Sequence, residues 1–217
     1  MNYKKEVAET IASYLLEIQA IKLNSTNPFT WASGLKSPIY CDNRIALSYP
    51  KKRLFIKKQL ANAIKDNFSN VDVIAGVATA GIPQGALVAD ELGLPFVYIR
   101  SSAKAHGMTN KIEGRLDKGK VVVVIEDLIS TGKSSLNAVD AIRNSGAIVA
   151  GMVAIFTYGL DIAEQNFSDK DCKLISLSDY NTMIGKAVSD NYVTSKEEKS
   201  LLKWSKNPKQ WSNDNQD

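Results

Sequence analysis

The hydrophobic pattern changes at about residue 70, where a regular alternation of strand and helix patterns begins. Short apolar runs rich in β-branched residues predict strands at residues 71–75, 95–99, 121–125, 147–156 and 172–177. Amphipathic patterns predict helices between strands, at residues 82–92 and 132–144. The runs at 121–125 and 147–156 are apolar throughout, which is typical of central parallel strands buried on both faces. Repeated βα units indicate an α/β fold with a mainly parallel central sheet flanked by helices.

The first 70 residues are less regular. Apolar residues at three- and four-residue spacing predict a helix over residues 6–23, which the segment 24–28 ends. A short strand is expected at 37–42, and a second helix from Pro50. One face of that second helix carries Leu54, Ala61, Ile64 and Phe68. The tail at 204–217 is polar and is expected to fray.

Composition narrows the class of protein. The 217 residues fit one α/β domain, and a net charge of +4 is too small to argue for nucleic acid. Cys41 and Cys172 are far apart, which argues against a disulfide framework or a cysteine-rich metal site. No apolar run approaches the ~18 residues of a membrane span, and the N-terminus lacks a secretory apolar region. A cytoplasmic protein without a membrane partner is the expectation.

The strongest chemical signal follows the apolar run at 121–125. Glu126 and Asp127 come directly after it, and the hydroxyl-rich turn Ser130-Thr-Gly-Lys-Ser-Ser135 then opens a helix. In open α/β sheets, ligands bind beyond the carboxyl ends of the strands. The amide groups of such a turn and the dipole of the helix attract an anion. A phosphate site beside two carboxylates that accept hydroxyl groups predicts a sugar phosphate as the ligand.

The segment has two other possible interpretations. Gly132-Lys133-Ser134 matches the end of a P-loop, but that motif needs a glycine where Asp127 stands. The segment could also be a solvated strand end followed by a helix cap. The hydroxyl run alone does not distinguish these possibilities, whereas its combination with the apolar strand and the acidic pair favours a binding site.

Residues 121–134, Val-Val-Val-Val-Ile-Glu-Asp-Leu-Ile-Ser-Thr-Gly-Lys-Ser, resemble the phosphoribosyl diphosphate motif of type I phosphoribosyltransferases. The resemblance implies that family's fold, with an N-terminal helix and hood at about residues 1–45 and a core at about 70–180, within a single domain over 1–217. It implies that Glu126 and Asp127 bind the ribose hydroxyls. It also implies a 5-phosphate site in the turn formed by Leu128, Ile129, Ser130, Thr131, Gly132, Lys133 and Ser134.

Three further segments resemble orotate phosphoribosyltransferases, especially the form of Gram-positive bacteria. Residues 29–44, Phe-Thr-Trp-Ala-Ser-Gly-Leu-Lys-Ser-Pro-Ile-Tyr-Cys-Asp-Asn-Arg, match their N-terminal motif. Residues 98–107, followed by Ile112-Glu-Gly114, are similar to their catalytic loop, and residues 76–83 to their diphosphate loop. The order and spacing of the four segments fit the family from about residue 5 to about residue 205.

The resemblance implies a set of roles. Lys104, His106 and Asp127 would be catalytic, and Arg100, Lys104 and His106 would bind the diphosphate. Ser130, Tyr40 and Lys36 would bind orotate. Mg²⁺ would be held mainly through the substrate, without a dedicated set of protein ligands. A homodimer is implied, in which the loop at 101–114 reaches the partner's active site.

The sequence departs from the family pattern at several basic positions. Ala32, Ala80 and Ser101 stand where many members carry a lysine or another basic residue, and an orotate-binding arginine is replaced near Thr157 and Tyr158. Taken without the resemblance, the loop around His106 could be a solvated charged loop, and a lone histidine is more often structural than catalytic. Two other functions stay open: transfer to a different base, and a regulator that senses phosphoribosyl diphosphate and binds nucleic acid.

Overall fold

A six-stranded sheet forms the centre of the protein in a computed structural model, which describes residues 3–31, 34–101 and 111–215. The strand order is β10-β9-β8-β5-β6-β7, and every pairing is parallel except that of β7 with β6. Its strands are β5 (Val73–Val77), β6 (Phe96–Ile99), β7 (Ile112–Glu113), β8 (Val121–Ile129), β9 (Ile148–Thr157) and β10 (Leu174–Asp179). The predicted α/β class and parallel sheet are confirmed.

Helices cover both faces of this sheet. They are α1 (Lys5–Glu17), α2 (Pro50–Asn67), α3 (Gly81–Leu92), α4 (Lys133–Asn144), α5 (Asp161–Asp169), α6 (Tyr180–Ser189), α7 (Ser195–Lys206) and α8 (Pro208–Asp214). Alternate residues of β8 enter two separate hydrophobic clusters: Val123 and Ile125 face one, and Val122 and Val124 the other. The uniform apolar run therefore reflects a strand buried on both faces. Among the described residues, no helix combines the length and the apolar character that a membrane crossing requires.

The N-terminal region differs from the predicted pattern in two places. Helix α1 ends at Glu17, and the segment predicted to continue it forms strand β1 (Ile21–Leu23). That strand pairs with β4 (Ile39–Cys41), so a partner distant in sequence overrides the local helical spacing. In α2 the predicted face is partly wrong, because Leu54 is 46% exposed, whereas Ile56 and Leu60 are fully buried.

The hood consists of residues 21–48 and lies over the end of β8. Besides the β1–β4 pair it contains β2 (Phe29–Thr30), β3 (Lys36–Ser37) and a 3-10 helix at Asn43–Ser48. The strand predicted at 37–42 is split at Pro38, which has no N–H group to donate. The buried Asn43 joins the hood to the core, because its Nδ2 donates to the carbonyl oxygen of Asp127 at 2.7 Å.

The C-terminal region is helical where the sequence predicted a frayed tail. Helix α7 begins with a reciprocal capping box between Thr194 and Glu197, and α8 begins at Pro208 after the side-chain cap of Asn207. Trp204 is fully buried and Trp211 is 5% exposed. These two indoles supply the apolar area that orders an otherwise polar segment. The predicted fraying therefore does not hold for the residues described, which end at 215.

Candidate active site

A cavity of about 340 Å³ opens at the carboxyl ends of β5 and β8, where the strand rule places a ligand. The pairing of β5 with β8 stops at Gly76 and Ile125, so the last residues of β8 extend beyond their neighbour. The cavity is lined by Arg44, Ala78, Thr79, Ala80, Glu126, Asp127, Leu128, Ser130, Thr131, Gly132, Lys133, Ser134 and Ser135. Most of the residues predicted from the phosphoribosyl diphosphate motif therefore share one cavity.

Glycine lets α3 begin close to the end of β8. A Cβ atom on Gly81 would lie 2.6 Å from the carbonyl oxygen of Ile125, which is strand backbone and cannot move aside. One on Gly76 would lie 2.7 Å from the carbonyl oxygen of Gly81. This close packing forms the cavity wall at Ala78–Ala80 directly opposite the phosphate-type turn.

The two acidic residues are used differently. Glu126 is 6% exposed, and both of its carboxylate oxygens accept hydrogen bonds within the protein. Oε2 accepts from the Ser135 hydroxyl at 2.8 Å, and Oε1 accepts from the main-chain N–H of Asp127 at 3.0 Å. Glu126 thus joins the end of β8 to the first turn of α4. Asp127 is half-buried and is the more accessible carboxylate at the cavity.

Burial raises the pKa of Glu126 well above its usual value, and the negative charge of Asp127 raises it further. Burial also raises the pKa of Asp127, although Arg44 is among the groups that oppose this effect. A carboxyl group whose pKa is higher in the folded state than in the unfolded state favours folding while it is protonated. Its contribution is complete below the unfolded pKa and is lost as the pH rises through the folded pKa.

The stability of a Glu126→Gln variant should therefore differ from that of the unaltered protein in a pH-dependent way. Gln cannot ionise, so the unaltered protein should lose stability relative to the variant as the pH is raised from 5 to 8. Urea unfolding at several pH values measures this difference. Glu6→Gln, at an exposed position of α1, is the control. A stability difference that does not change with pH would contradict the proposed cost of ionising Glu126.

The turn between β8 and α4 presents free amide groups to the cavity. Gly132 is the N-cap of α4 with φ +76°, and no side chain caps the first amides of the helix. A Cβ atom at Gly132 would lie 2.6 Å from the ring of Phe167 in α5. The backbone form of the turn thus depends on glycine, and its helix N-terminus suits a phosphate group. The predicted turn residue Ile129 is fully buried and does not line the cavity.

Arg100 follows β6 at the edge of the same site. It lines a small cleft shared with Ser134, and its Nη1 lies 3.4 Å from Oε1 of Glu113. Its main-chain N–H donates to the carbonyl oxygen of Lys111 at 2.9 Å, so the two ends of the 101–111 segment are held together. The predicted catalytic residues Lys104 and His106 lie outside the described residues, as does Ala32.

A second pocket of about 260 Å³ lies between the hood and the end of β8. Its walls are Thr30, Trp31, Tyr40, Cys41, Leu128, Ser130 and Tyr158. Leu128 and Ser130 also line the first cavity, so the two spaces adjoin. Among the residues predicted to bind orotate, Ser130 and Tyr40 line this pocket. Lys36 does not, and its main-chain N–H instead donates to Ser212.

The sequence did not predict that Trp31 and Tyr158 form an aromatic wall of this second pocket. The rings of Trp31 and Tyr158 stack with centroids 5.4 Å apart and planes 17° apart. Tyr158 directly follows β9, so the strand-end rule that identified Asp127 could also have identified it. Trp31 lies within the 29–44 motif, although nothing in the pattern distinguishes its side chain from its neighbours. The two stacked rings form one aromatic wall, which suits contact with a planar ring.

Comparisons with known proteins agree with this geometry. Residues 50–190 match the family model described as "Phosphoribosyl transferase domain". The chain is 56% identical over 211 residues to an orotate phosphoribosyltransferase of Listeria innocua, covering 97% of this chain and 99% of that protein. It is 55% identical over 207 residues to an orotate phosphoribosyltransferase of Porphyromonas gingivalis, covering 95% of this chain and 99% of that protein.

Solved structures agree as well. The crystal structure of orotate phosphoribosyltransferase from Aeropyrum pernix superposes with a TM-score of 0.74 at 25% identity, covering 85% of this chain and 99% of that one. The family match spans more than half of the chain, and the curated relatives match it over nearly their full length. The chain therefore belongs to the phosphoribosyltransferase family, and within that family to the orotate phosphoribosyltransferases.

Proposed function

We propose that the protein transfers ribose 5-phosphate from 5-phosphoribosyl 1-diphosphate to orotate, giving orotidine 5′-monophosphate and diphosphate. The reaction would serve pyrimidine synthesis in the cytoplasm. The observation that carries the proposal is one cavity in which the Asp127 carboxylate lies beside the open turn at 130–135. A sugar phosphate needs both halves of this site, and the adjoining flat pocket suits the base.

The donor would be held by its ribose and its 5-phosphate. The Asp127 carboxylate would accept hydrogen bonds from the ribose hydroxyls, while Glu126, through Ser135, would fix the strand end that carries it. The 5-phosphate would lie against the amide groups at the start of α4, where Thr131, Lys133 and Ser134 line the cavity. In this arrangement the anomeric carbon would lie near the boundary with the aromatic pocket.

The diphosphate would be held from the opposite side. Arg100 lines the cleft beside Ser134, and Lys104 and His106 follow it in the chain. Within the described residues, no three His, Cys, Asp or Glu side chains come together as a metal site. The Asp127 carboxylate at the cavity nevertheless offers a hard oxygen ligand, which fits Mg²⁺ bound mainly through the substrate. When bound, Mg²⁺ would neutralise charge on the diphosphate.

The chemical step would be a displacement at the anomeric carbon. A ring nitrogen of orotate forms a bond to that carbon as the bond to the diphosphate oxygen breaks. The diphosphate leaves with the bonding electrons, and the proton of the ring nitrogen passes to the departing diphosphate or to water. The ribose becomes positively charged in a transition state like that of other glycosidic centres. The carboxylates near the ribose would stabilise this charge, and the cations around the diphosphate would stabilise the leaving group.

Orotate would enter the pocket between the hood and the strand ends. The stacked rings of Trp31 and Tyr158 would form one aromatic wall against orotate, and Ser130 and Tyr40 would offer hydroxyl groups to its carboxylate or ring. The ammonium group of Lys36 is a further candidate for binding orotate. Ala32, Ala80 and Ser101 replace basic residues that many members of the family carry. Main-chain donors and the metal would therefore contribute more of the substrate binding.

The loop at 101–114 would close over the substrates of the partner subunit in a homodimer. Closure would exclude water and prevent hydrolysis of the donor. The proposed reaction is tested by following orotate consumption spectrophotometrically, with donor and Mg²⁺ each omitted in turn. A panel of bases completes the test, since preference for hypoxanthine, xanthine or uracil would overturn the orotate assignment. Filter binding to DNA and RNA at moderate salt tests the alternative of a regulator.

A Lys104→Ala variant should lower turnover by at least about tenfold, which corresponds to roughly 1.4 kcal/mol of barrier. The reason is that its ammonium group would stabilise charge on the leaving diphosphate. Steady-state kinetics at saturating substrates measures the loss. Lys118→Ala, at an exposed position before β8, removes the same charge away from the site and should leave turnover unchanged. A smaller loss for Lys104→Ala would remove this residue from the catalytic group.

A further inference from the structure

The aromatic pocket is supported from behind by the C-terminal helices. Trp204 of α7 is fully buried and makes edge-to-face contacts with both rings of the stacked aromatic wall, Trp31 and Tyr158. Its ring centroid lies 5.7 Å from that of Trp31 and 5.4 Å from that of Tyr158. The wall residue Trp31 has one further restraint, since its Nε1 donates to the carbonyl oxygen of Ile39 at 3.2 Å. The position of this stacked aromatic wall thus depends on a residue outside the pocket.

Helix α8 holds the hood by a hydrogen bond. The main-chain N–H of Lys36 in β3 donates to the hydroxyl of Ser212 at 2.9 Å, and Ser212 is fully buried. Strand β3 pairs with β2, whose last residue, Thr30, directly precedes Trp31. This contact therefore fixes the short β2–β3 hairpin that carries Trp31.

The two C-terminal helices are also joined to each other and to the core. The Nε1 of Trp211 in α8 donates to the hydroxyl of Ser200 in α7 at 3.1 Å. The hydroxyl of Tyr180 in α6 donates to the carbonyl oxygen of Leu201 at 3.2 Å. The pair α7–α8 is thus anchored to α6, and it contacts the hood through Ser212 and Trp204.

We propose that α7–α8 is a positioning element for the base, with Ser212 and Trp204 as its positioning residues. They hold the stacked pair Trp31–Tyr158 in place and thereby set the affinity for the planar acceptor that packs against it. The donor cavity is lined by β8, α4, the Ala78–Ala80 loop and Arg44 of the 3-10 helix, and none of its lining residues belongs to β2, β3, α7 or α8. The inference rests on the proposed function. It predicts that substitutions in α7–α8 weaken the binding of the base without weakening the binding of the donor.

The test compares Ser212→Ala with Ser200→Ala in the full-length enzyme. Both variants remove one serine hydroxyl from α7–α8, but only that of Ser212 contacts the hood. Loss of a buried acceptor at Ser212 should raise the KM for orotate by about tenfold. The KM for phosphoribosyl diphosphate should stay within about twofold, because the donor site has no contact with Ser212. Ser200→Ala should lower stability without changing either KM.

An unchanged KM for orotate in Ser212→Ala would overturn the inference, and so would a parallel rise of both KM values in both variants. If Ser212→Ala does not fold, Trp204→Phe replaces it, with the same separation of the two KM values expected. The proposed function has its own outcome in this experiment. If the unaltered enzyme prefers another base, the orotate assignment fails, and the positioning role is decided by the KM for that base.

Discussion

Replacing Asp127 with Asn should lower kcat/KM for phosphoribosyl diphosphate by at least about a hundredfold, or roughly 2.7 kcal/mol. Both oxygens of Glu126 are engaged by Ser135 and by the main chain, so Asp127 is the carboxylate left for the ribose hydroxyls. Hydrogen bonds to a charged acceptor contribute about 1.5–3 kcal/mol each. Asn also removes a negative charge beside the ribose in the transition state.

Steady-state kinetics with the donor varied measures this effect, and urea unfolding shows whether the variant is folded. Asn has nearly the same shape and avoids the burial of a charge, so no loss of stability is expected. Glu126→Gln is the matched control at the neighbouring position, and its loss of activity should be smaller. A larger loss for Glu126→Gln than for Asp127→Asn would reverse the roles assigned to the two residues.

Mixed dimers provide a second control. Asp127→Asn subunits and Lys104→Ala subunits should each keep, alone, no more than about a tenth of the unaltered activity. If the loop acts on the partner's site, a mixed dimer contains one intact site, and random exchange of equal amounts should restore about a quarter of the unaltered activity. If each loop serves its own subunit, mixing restores nothing, and the dimer part of the proposal fails.

Gly132→Ala should have the second large effect, through the shape of the phosphate turn. A left-handed conformation costs a non-glycine residue about 1–2 kcal/mol, and overpacking against the Phe167 ring adds about 1–3 kcal/mol. The unfolding free energy should therefore fall by about 2–5 kcal/mol. The KM for the donor should rise as well, because the amide groups at the start of α4 are displaced.

Gly93→Ala is the matched control for this variant. Gly93 also has a positive φ, of +65°, but a Cβ atom there meets nothing within 4 Å, and it lies at the end of α3. Urea unfolding should show a loss of only about 1–2 kcal/mol, and donor kinetics should be unchanged. Equal losses in the two variants would mean that Phe167 yields, and an unchanged donor KM in Gly132→Ala would place the phosphate elsewhere.

The sequence was sufficient for the sheet and for half of the site, because both depend on residues adjacent in the chain. The apolar run before Glu126 and the glycine after Thr131 determine strand, turn and helix locally. The strand itself extends further than predicted, to Ile129, because its pairing with β9 continues past the polar residues Glu126 and Asp127. That pairing could not be read from the apolar pattern.

The rest of the site depends on contacts between distant segments. Trp31, Tyr158 and Trp204 lie on three separate elements, so no periodicity relates them. The buried position of the Glu126 side chain likewise depends on a hydrogen bond from the hydroxyl of Ser135, nine residues away. The polar composition of the tail concealed its two buried tryptophans. Local patterns thus predicted most of the residues that line the first cavity, whereas the aromatic contacts of the second pocket depend on tertiary structure.

The contact between Lys36 and Ser212 has a consequence for how the protein is made. These residues are 176 positions apart, which at ~5–20 residues per second represents roughly 10–35 s of translation. Most of the sheet and the phosphate turn can fold as the chain emerges from the ribosome. The β2–β3 hairpin must wait for the last helices, so a nascent or prematurely terminated chain would bind the donor before it could hold the acceptor correctly.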